Sequence, residues 1–230
     1  MKEMLTGSVY FGVVLTLICY EIGLVIKRKT KLSLANPLLI ASILIIGVLL
    51  ILDIDYEVYK AAVQPISFLL TPATVCLAIP LYRQLELLKK YPVAILGGIT
   101  SGVLTTMVSI WLMSLAFGLT HEQYVTLLPK SITTAIGMGV SEELGGYVTI
   151  TVAVIVITGV LGNMTGELIC KIFHIREPIA KGLALGTAAH AMGTTKAMEM
   201  GEIEGAMSSL SVAVAGVLTV VGASIFAGLF

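Results

Sequence analysis

The chain alternates between long apolar runs and short polar connections. Six runs are long enough to cross a membrane, because a transmembrane helix needs about 20 mostly apolar residues. The predicted spans are residues 5–26, 34–52, 64–82, 92–118, 147–170 and 206–229. The pattern therefore predicts an all-α polytopic membrane protein with about six transmembrane helices.

Two further segments, residues 125–145 and 182–204, combine glycine with polar side chains. Irregular backbone at membrane depth is tolerated only where it is buried in protein or lines a water-filled cavity. We therefore expect two broken segments that enter the membrane from one face and return to it. The breaks are expected at Pro129, Gly137 and Gly139 in the first segment, and at Gly186, Gly193 and Gly201 in the second.

Composition and charge support this topology. Hydrophobic residues make up 57 % of the chain and charged residues 12 %, against about 25 % charged in soluble domains. Basic residues cluster at 27–31, 83–90 and 171–181, and such loops stay cytoplasmic. If residues 125–145 crossed the membrane, the loop at 171–181 would lie outside, so the charges favour the re-entrant arrangement. The formal net charge of zero gives no argument for binding nucleic acid.

The two glycine-rich segments resemble each other at an offset of 56 residues. AIGMGVSEELG from Ala135 aligns with AMGTTKAMEMG from Ala191, and the apolar runs that follow also align. The charge pattern brings the two copies in from opposite faces, which makes an inverted repeat of the kind that transporters use. We expect a single integral membrane domain over 1–230, with four spans in 1–120 and two re-entrant-plus-helix repeats in 121–230.

Polar side chains at the expected breaks are suited to binding a small organic anion. A helix N-terminus at each break carries partial positive charge, and a lysine, a histidine and several hydroxyls lie beside it. The predicted substrate-binding residues are Lys130, Ser131, Thr133, Thr134, His190, Gly193, Thr194 and Thr195. Glu143, Glu199, Asn163 and Thr71 are predicted to serve coupling or to line the pathway.

Each of these residues also has a simpler interpretation. Lys130 could extend to the outer surface along its apolar stem, and His190 could be a neutral core histidine that bonds a neighbouring helix. Glu143 and Glu199 could be the solvated ends of the two segments, and Thr71 could belong to a proline-kinked packing helix. Both alternatives stay open at the level of sequence.

The stretches LLPKSITTAIGMGVSEELGG and GTAAHAMGTTKAMEMGEIEGAMSSLS resemble the LrgB/CidB membrane protein family, and the resemblance covers essentially the whole chain. It implies a location in the bacterial cell membrane and two descriptions of function. One is a holin/antiholin-like modulator of murein hydrolase activity and cell lysis. The other is a carrier of glycolate, glycerate or pyruvate. The resemblance also implies a smaller LrgA/CidA-like membrane partner.

The leading functional hypothesis is a secondary transporter of small monocarboxylates, and the alternative is a holin/antiholin-like pore or regulator. A pore needs neither matched broken segments nor a cation at depth, so the repeat favours the carrier. The sequence lacks the G-x-S-x-G and H-E-x-x-H motifs, and we predict neither an enzyme nor a cofactor. The three cysteines are too far apart for a metal site. Gly98 and Gly102 would permit the close helix contact of a homodimer.

Overall fold

The computed structural model describes residues 9–30, 37–69, 72, 76, 82 and 85–230. All regular structure in this part of the chain is helical. The chain divides into two compact units, Met1–Cys76 and Leu77–Phe230, and the prediction of one integral domain stays a prediction.

The first unit is built on helix α1, Val9–Thr30, which packs against α2, Pro37–Ile51, and α3, Tyr56–Ala62. Gly12 allows the close approach to α3, because a Cβ there would lie 2.7 Å from the Cβ of Ala62. Thr16 Oγ1 and Tyr59 OH, 2.8 Å apart, add a hydrogen bond between the same helices. Helix α4, Gln64–Phe68, follows directly.

The second unit contains α5 to α11. Their bounds are α5 Leu85–Lys90, α6 Pro92–Phe117, α7 His121–Leu127, α8 Thr134–Glu143, α9 Val148–Ile172, α10 Pro178–Met200 and α11 Glu202–Ala227. The core lies where α6, α10 and α11 pack together, and Ile95, Ile99, Met107 and Met207 are fully buried there. The polar end of Tyr124 is also satisfied inside the unit, since its hydroxyl donates to the carbonyl O of Phe226 at 2.9 Å.

Four of the predicted spans are confirmed as helices long and apolar enough to cross a membrane: α1, α6, α9 and α11. Helix α2 is apolar but has only 15 residues, and at 1.5 Å per residue it is about 22 Å long, short of the roughly 30 Å hydrocarbon core. The predicted third span, 64–82, begins as α4 and then lies mostly outside the described residues. The count of six spans is therefore not established.

The expected outer loop at 120–124 was wrong, because most of it belongs to helix α7. Thr120 and Gln123 form a reciprocal capping box, in which Gln123 Oε1 accepts from the Thr120 N–H at 2.9 Å and Thr120 Oγ1 accepts from the Gln123 N–H at 3.4 Å. This pairing satisfies two backbone donors and starts the helix. The T-x-x-Q spacing was the sequence signal for it.

Candidate functional site

The first glycine-rich segment is broken between α7 and α8, at residues 128–133. Thr133 has an extended backbone and starts α8. A Cβ built at Gly137 would lie 3.5 Å from the carbonyl O of Pro129. In a continuous α-helix, residues eight positions apart are separated by about 12 Å. The chain therefore turns back at this break, and α7 and α8 form a helical hairpin that we call hairpin 1.

The second segment is broken inside α10, at Ala189 and His190, which have non-helical backbone angles. A Cβ built at Gly193 would overlap the carbonyl O of Leu185, again eight residues earlier. The two halves of α10 therefore also turn back on each other, and they form hairpin 2. The contacts of Gly137 and Gly193 are 56 residues apart, as are those of Pro129 and Leu185, so both hairpins share one geometry.

His190 is the most unusual residue of hairpin 2. Its φ of 43° and ψ of −139° lie in a region that glycine favours and other residues avoid. The ring is 4 % exposed, and Nε2 lies 3.0 Å from the carbonyl O of Ile155. Because a carbonyl only accepts, Nε2 carries a proton and donates it. Strained backbone that is held by its surroundings tends to mark functional sites.

Helix α9 shows where hairpin 1 lies. Thr151 Oγ1 donates to Ser141 Oγ of α8 at 2.7 Å and lies 2.9 Å from the carbonyl O of Thr126 of α7. Farther along α9, the side chain of Ile155 fills the space beside Gly137. Hairpin 1 therefore follows the N-terminal half of α9, with its tip near Ile155.

Hairpin 2 lies on the other half of the same helix. Gly166 of α9 faces Leu185, and Gly162 faces Ala189. After the break the order reverses, since Asn163 Nδ2 donates to the carbonyl O of Met192 at 2.8 Å. The tips of both hairpins thus meet near Ile155, close to the middle of α9, after approaching from its opposite ends.

The contacts between the two copies are reciprocal. A Cβ at Gly159 of α9 would lie 2.6 Å from Met192 Sδ of hairpin 2, and a Cβ at Gly216 of α11 would lie 3.0 Å from Ile136 Cδ1 of hairpin 1. Ile136 and Met192 are 56 residues apart, and Gly159 and Gly216 differ by 57. Exchange of the same contact in both directions is the signature of a two-fold relation.

The structure brings the predicted cationic residues of the two tips together. Lys130 is half-buried, and its Nζ lies 3.0 Å from Oγ of Ser131, which is itself buried. The charge of Lys130 acts electrostatically on the His190 ring. Within the described part of the chain, Lys130 makes no ion pair with a carboxylate.

The predicted hydroxyls divide into two groups. Thr133 and Thr134 lie at the start of α8, and Thr133 makes no capping hydrogen bond. Thr194 is fully buried, bonded to the His190 carbonyl O at 3.1 Å and to Ser208 Oγ at 2.8 Å. Thr195 is exposed and donates to the carbonyl O of Ala191 at 3.2 Å. Thr133 and Thr134 therefore remain the better placed of these hydroxyls for a ligand.

The predicted pathway residues are not gathered at the tips. Asn163 binds the Met192 carbonyl that the break leaves near α9. Glu143 and Glu199 are exposed at the far ends of their hairpins, as the simpler interpretation holds. Thr71 lies outside the described residues.

The expected role of the glycines as breakers was wrong for most of them. Gly137 and Gly139 lie inside α8, and Gly186 and Gly193 lie inside α10. A helix-interior glycine costs only about 1 kcal/mol relative to alanine, which close packing offsets here. Gly186, for example, has Ser208 and Ser211 of α11 directly against it.

Sequence reasoning missed the glycines of α9 and the partners of the tips. Gly159, Gly162 and Gly166 line the face of α9 on which hairpin 2 lies. Their spacing of three and four residues in GVLGNMTG is that of one helix face, and it was the available signal. Ser208, the partner of Thr194, carried no comparable signal.

Four helices suited to crossing a membrane, together with two paired hairpins, define a helical membrane protein with an internal two-fold repeat. The chain belongs to the LrgB-like family, whose model matches residues 16–229. It is 42 % identical over 217 residues to the antiholin-like protein LrgB of Bacillus mycoides (strain KBAB4), with 94 % of each chain covered. The proteins of that name from Bacillus cereus (strain B4264) and Bacillus anthracis (strain CDC 684 / NRRL 3495) match with the same identity and coverage. No solved structure matches the chain.

Proposed function

We propose that the chain is a secondary transporter of small monocarboxylates, of the glycolate, glycerate or pyruvate type. The observation that carries this proposal is Lys130, a half-buried cation at the meeting point of two hairpin tips, with no described carboxylate to pair with. A buried charge needs a counter-charge, and a substrate carboxylate supplies one. The N-termini of α8 and of the second half of α10 add partial positive charge at the same place.

In this proposal both hairpins are re-entrant, one from each face of a bacterial cytoplasmic membrane. The supporting geometry is that α9 is long enough to span, while the hairpins follow its opposite halves. Substrate sites formed by broken helices near the bilayer midplane are a recurring feature of transporters built from inverted repeats. The tips would then lie at the midplane.

Cysteine labelling tests the re-entrant arrangement. With Cys19, Cys76 and Cys170 replaced by alanine, single cysteines at Arg28 and Arg176 should react with a membrane-impermeant maleimide from the cytoplasmic face only. A cysteine at His121 should react from the opposite face, because it begins hairpin 1. Labelling of Arg28 and Arg176 positions from opposite faces would mean that residues 125–145 cross the membrane.

Uptake into proteoliposomes tests the function itself. The purified chain should take up labelled glycolate, glycerate or pyruvate with saturation, because a site at the tips holds one anion at a time. Liposomes without protein provide the background. Linear, non-saturating flux of unrelated solutes would instead identify a passive pore.

The second candidate function is that of an antiholin-like modulator of cell lysis. The name of the relatives, antiholin-like protein LrgB, favours it over the carrier. The expected partner is a smaller LrgA/CidA-like membrane protein, and murein hydrolase activity should then change with the level of this chain in cells that contain the partner. An altered hydrolase activity together with absent uptake would favour this function.

A homodimer also remains a proposal. Its predicted contact at Gly98 and Gly102 is used within the chain, where these residues face Leu183 and Thr187 of α10. A dimer contact on another face of α6 would leave that packing intact.

A further inference from the structure

A pocket of about 570 Å³ opens at the C-terminal end of α9, away from the hairpin tips. It is formed by the end of α9, the connection to α10, both arms of hairpin 2 and the start of α11. Its cations are Lys171, Arg176, Lys181 and Lys196, and we call it the basic pocket. Pockets of about 300–1,000 Å³ are typical of small-molecule sites.

The carboxylates of the basic pocket are already compensated. Glu167 is held by two lysines, with Oε1 2.9 Å from Lys171 Nζ and Oε2 2.9 Å from Lys196 Nζ. Glu204 lies in the first turn of α11, where the helix N-terminus favours negative charge. Among the described residues, Arg176 and Lys181 make no ion pair, so the pocket retains positive charge for a ligand.

Lys196 is the cation through which a ligand would compete with the protein. Its side chain is only 20 % exposed, whereas that of Lys171 is 72 % exposed. Its ammonium lies between Glu167 and Glu199, at 2.9 and 3.5 Å. An anion that reaches Lys196 must displace Glu167, and Glu167 is therefore the intrinsic competitor of any anionic ligand here.

We propose that the basic pocket is a second anion site, which binds a small soluble phosphate or carboxylate through Arg176, Lys181 and Lys196. The site is separate from the hairpin tips, since Lys196 follows His190 by six residues, about 9 Å along a helix. It does not depend on the proposed transport function, because occupancy is measured as binding.

Binding of inorganic phosphate to the full chain in a neutral detergent, measured by isothermal titration calorimetry, tests this site. Arg176→Gln, Lys181→Gln and Lys196→Gln should each weaken phosphate binding about tenfold, the loss of about 1.4 kcal/mol. Glu167→Gln should strengthen it severalfold, because the competitor for Lys196 is removed. The exposed ion pair of the first unit provides matched controls, since Lys60→Gln and Glu57→Gln should change nothing.

The opposite effects of Glu167→Gln and Lys196→Gln distinguish a binding site from a structural ion pair. If the pair only joined α9 to α10, both substitutions would change thermal stability in one direction and leave phosphate binding unaltered. That result, or no saturable binding of phosphate, would overturn the proposal. Lys130→Met should leave phosphate binding intact, and its loss there would place the ligand at the tips instead.

A lipid headgroup carries the same phosphate chemistry and needs its own arm. In nanodiscs of phosphatidylcholine, phosphate should bind as in detergent, and phosphatidylglycerol should not displace it. Displacement by phosphatidylglycerol would assign the basic pocket to a membrane lipid and overturn a soluble ligand.

Discussion

Lys130→Met is expected to raise the half-saturation concentration for carboxylate uptake by about ten- to a hundredfold. The substitution keeps an unbranched side chain of similar length and removes the ammonium. A charge-assisted hydrogen bond contributes about 1.5–3 kcal/mol, which corresponds to that change in affinity. Because the described partner of Lys130 is the neutral hydroxyl of Ser131, little ionic structure is lost with the charge. Initial rates of uptake into proteoliposomes, measured over a range of substrate concentrations, report the change.

Lys29→Met is the matched control, since Lys29 is exposed in the last turn of α1. It should change neither half-saturation nor maximal rate. His190→Ala should also reduce uptake without preventing membrane insertion, although it removes the bond to the Ile155 carbonyl as well. A Lys130→Met protein that saturates at the parent concentration would show that the lysine does not bind the substrate.

Gly193→Ala is expected to lower the thermal unfolding midpoint by about ten degrees. The new Cβ would overlap the carbonyl O of Leu185 and lie 2.9 Å from the Cβ of Ala189, so the turn of hairpin 2 would have to open. Such overpacking against backbone costs about 3 kcal/mol, and 1 kcal/mol shifts the midpoint by about 2–4 °C in a chain of this size. Unfolding of the detergent-solubilised chain, followed by intrinsic fluorescence, measures it.

Gly139→Ala makes the same chemical change at a position where nothing lies within 4 Å of the new Cβ. It should leave the midpoint unchanged or raise it slightly, because alanine is the better helix former. Equal losses in the two variants would mean that helix flexibility, rather than the close turn at Leu185, sets the need for glycine.

The long helices could be predicted from sequence because membrane solvation fixes both their length and their composition. Helices α6, α9 and α11 therefore fall within a few residues of the predicted spans. The existence of two broken segments was also predictable, since Pro129 and the neighbouring hydroxyls do not suit an apolar helix. The similarity at an offset of 56 residues predicted the matching contacts of Gly137 and Gly193.

The position of the second break was not predictable, because no local signal marks it. Ala189 and His190 have no helix-breaking chemistry of their own. The break is held by contacts from elsewhere in the chain, including the Ile155 carbonyl and the space beside Gly159. The basic pocket was missed for a similar reason, since Glu167 and Lys196 are 29 residues apart and meet only after hairpin 2 turns back.

The reciprocal contacts of Ile136 with Gly216 and of Met192 with Gly159 have the form of a homodimer interface contained in one polypeptide. Each 56-residue copy supplies a tip that is covered by the long helix of the other copy, so neither copy could bury its own tip by itself. Two separate chains of this length could make the same contacts only by inserting in opposite orientations. Gene duplication and fusion of a dual-topology ancestor would fix those orientations permanently, leaving each half free to diverge. The hydroxyl contact of Thr126 with Thr151 has already become a contact of Gly182 with Met207 in the other half.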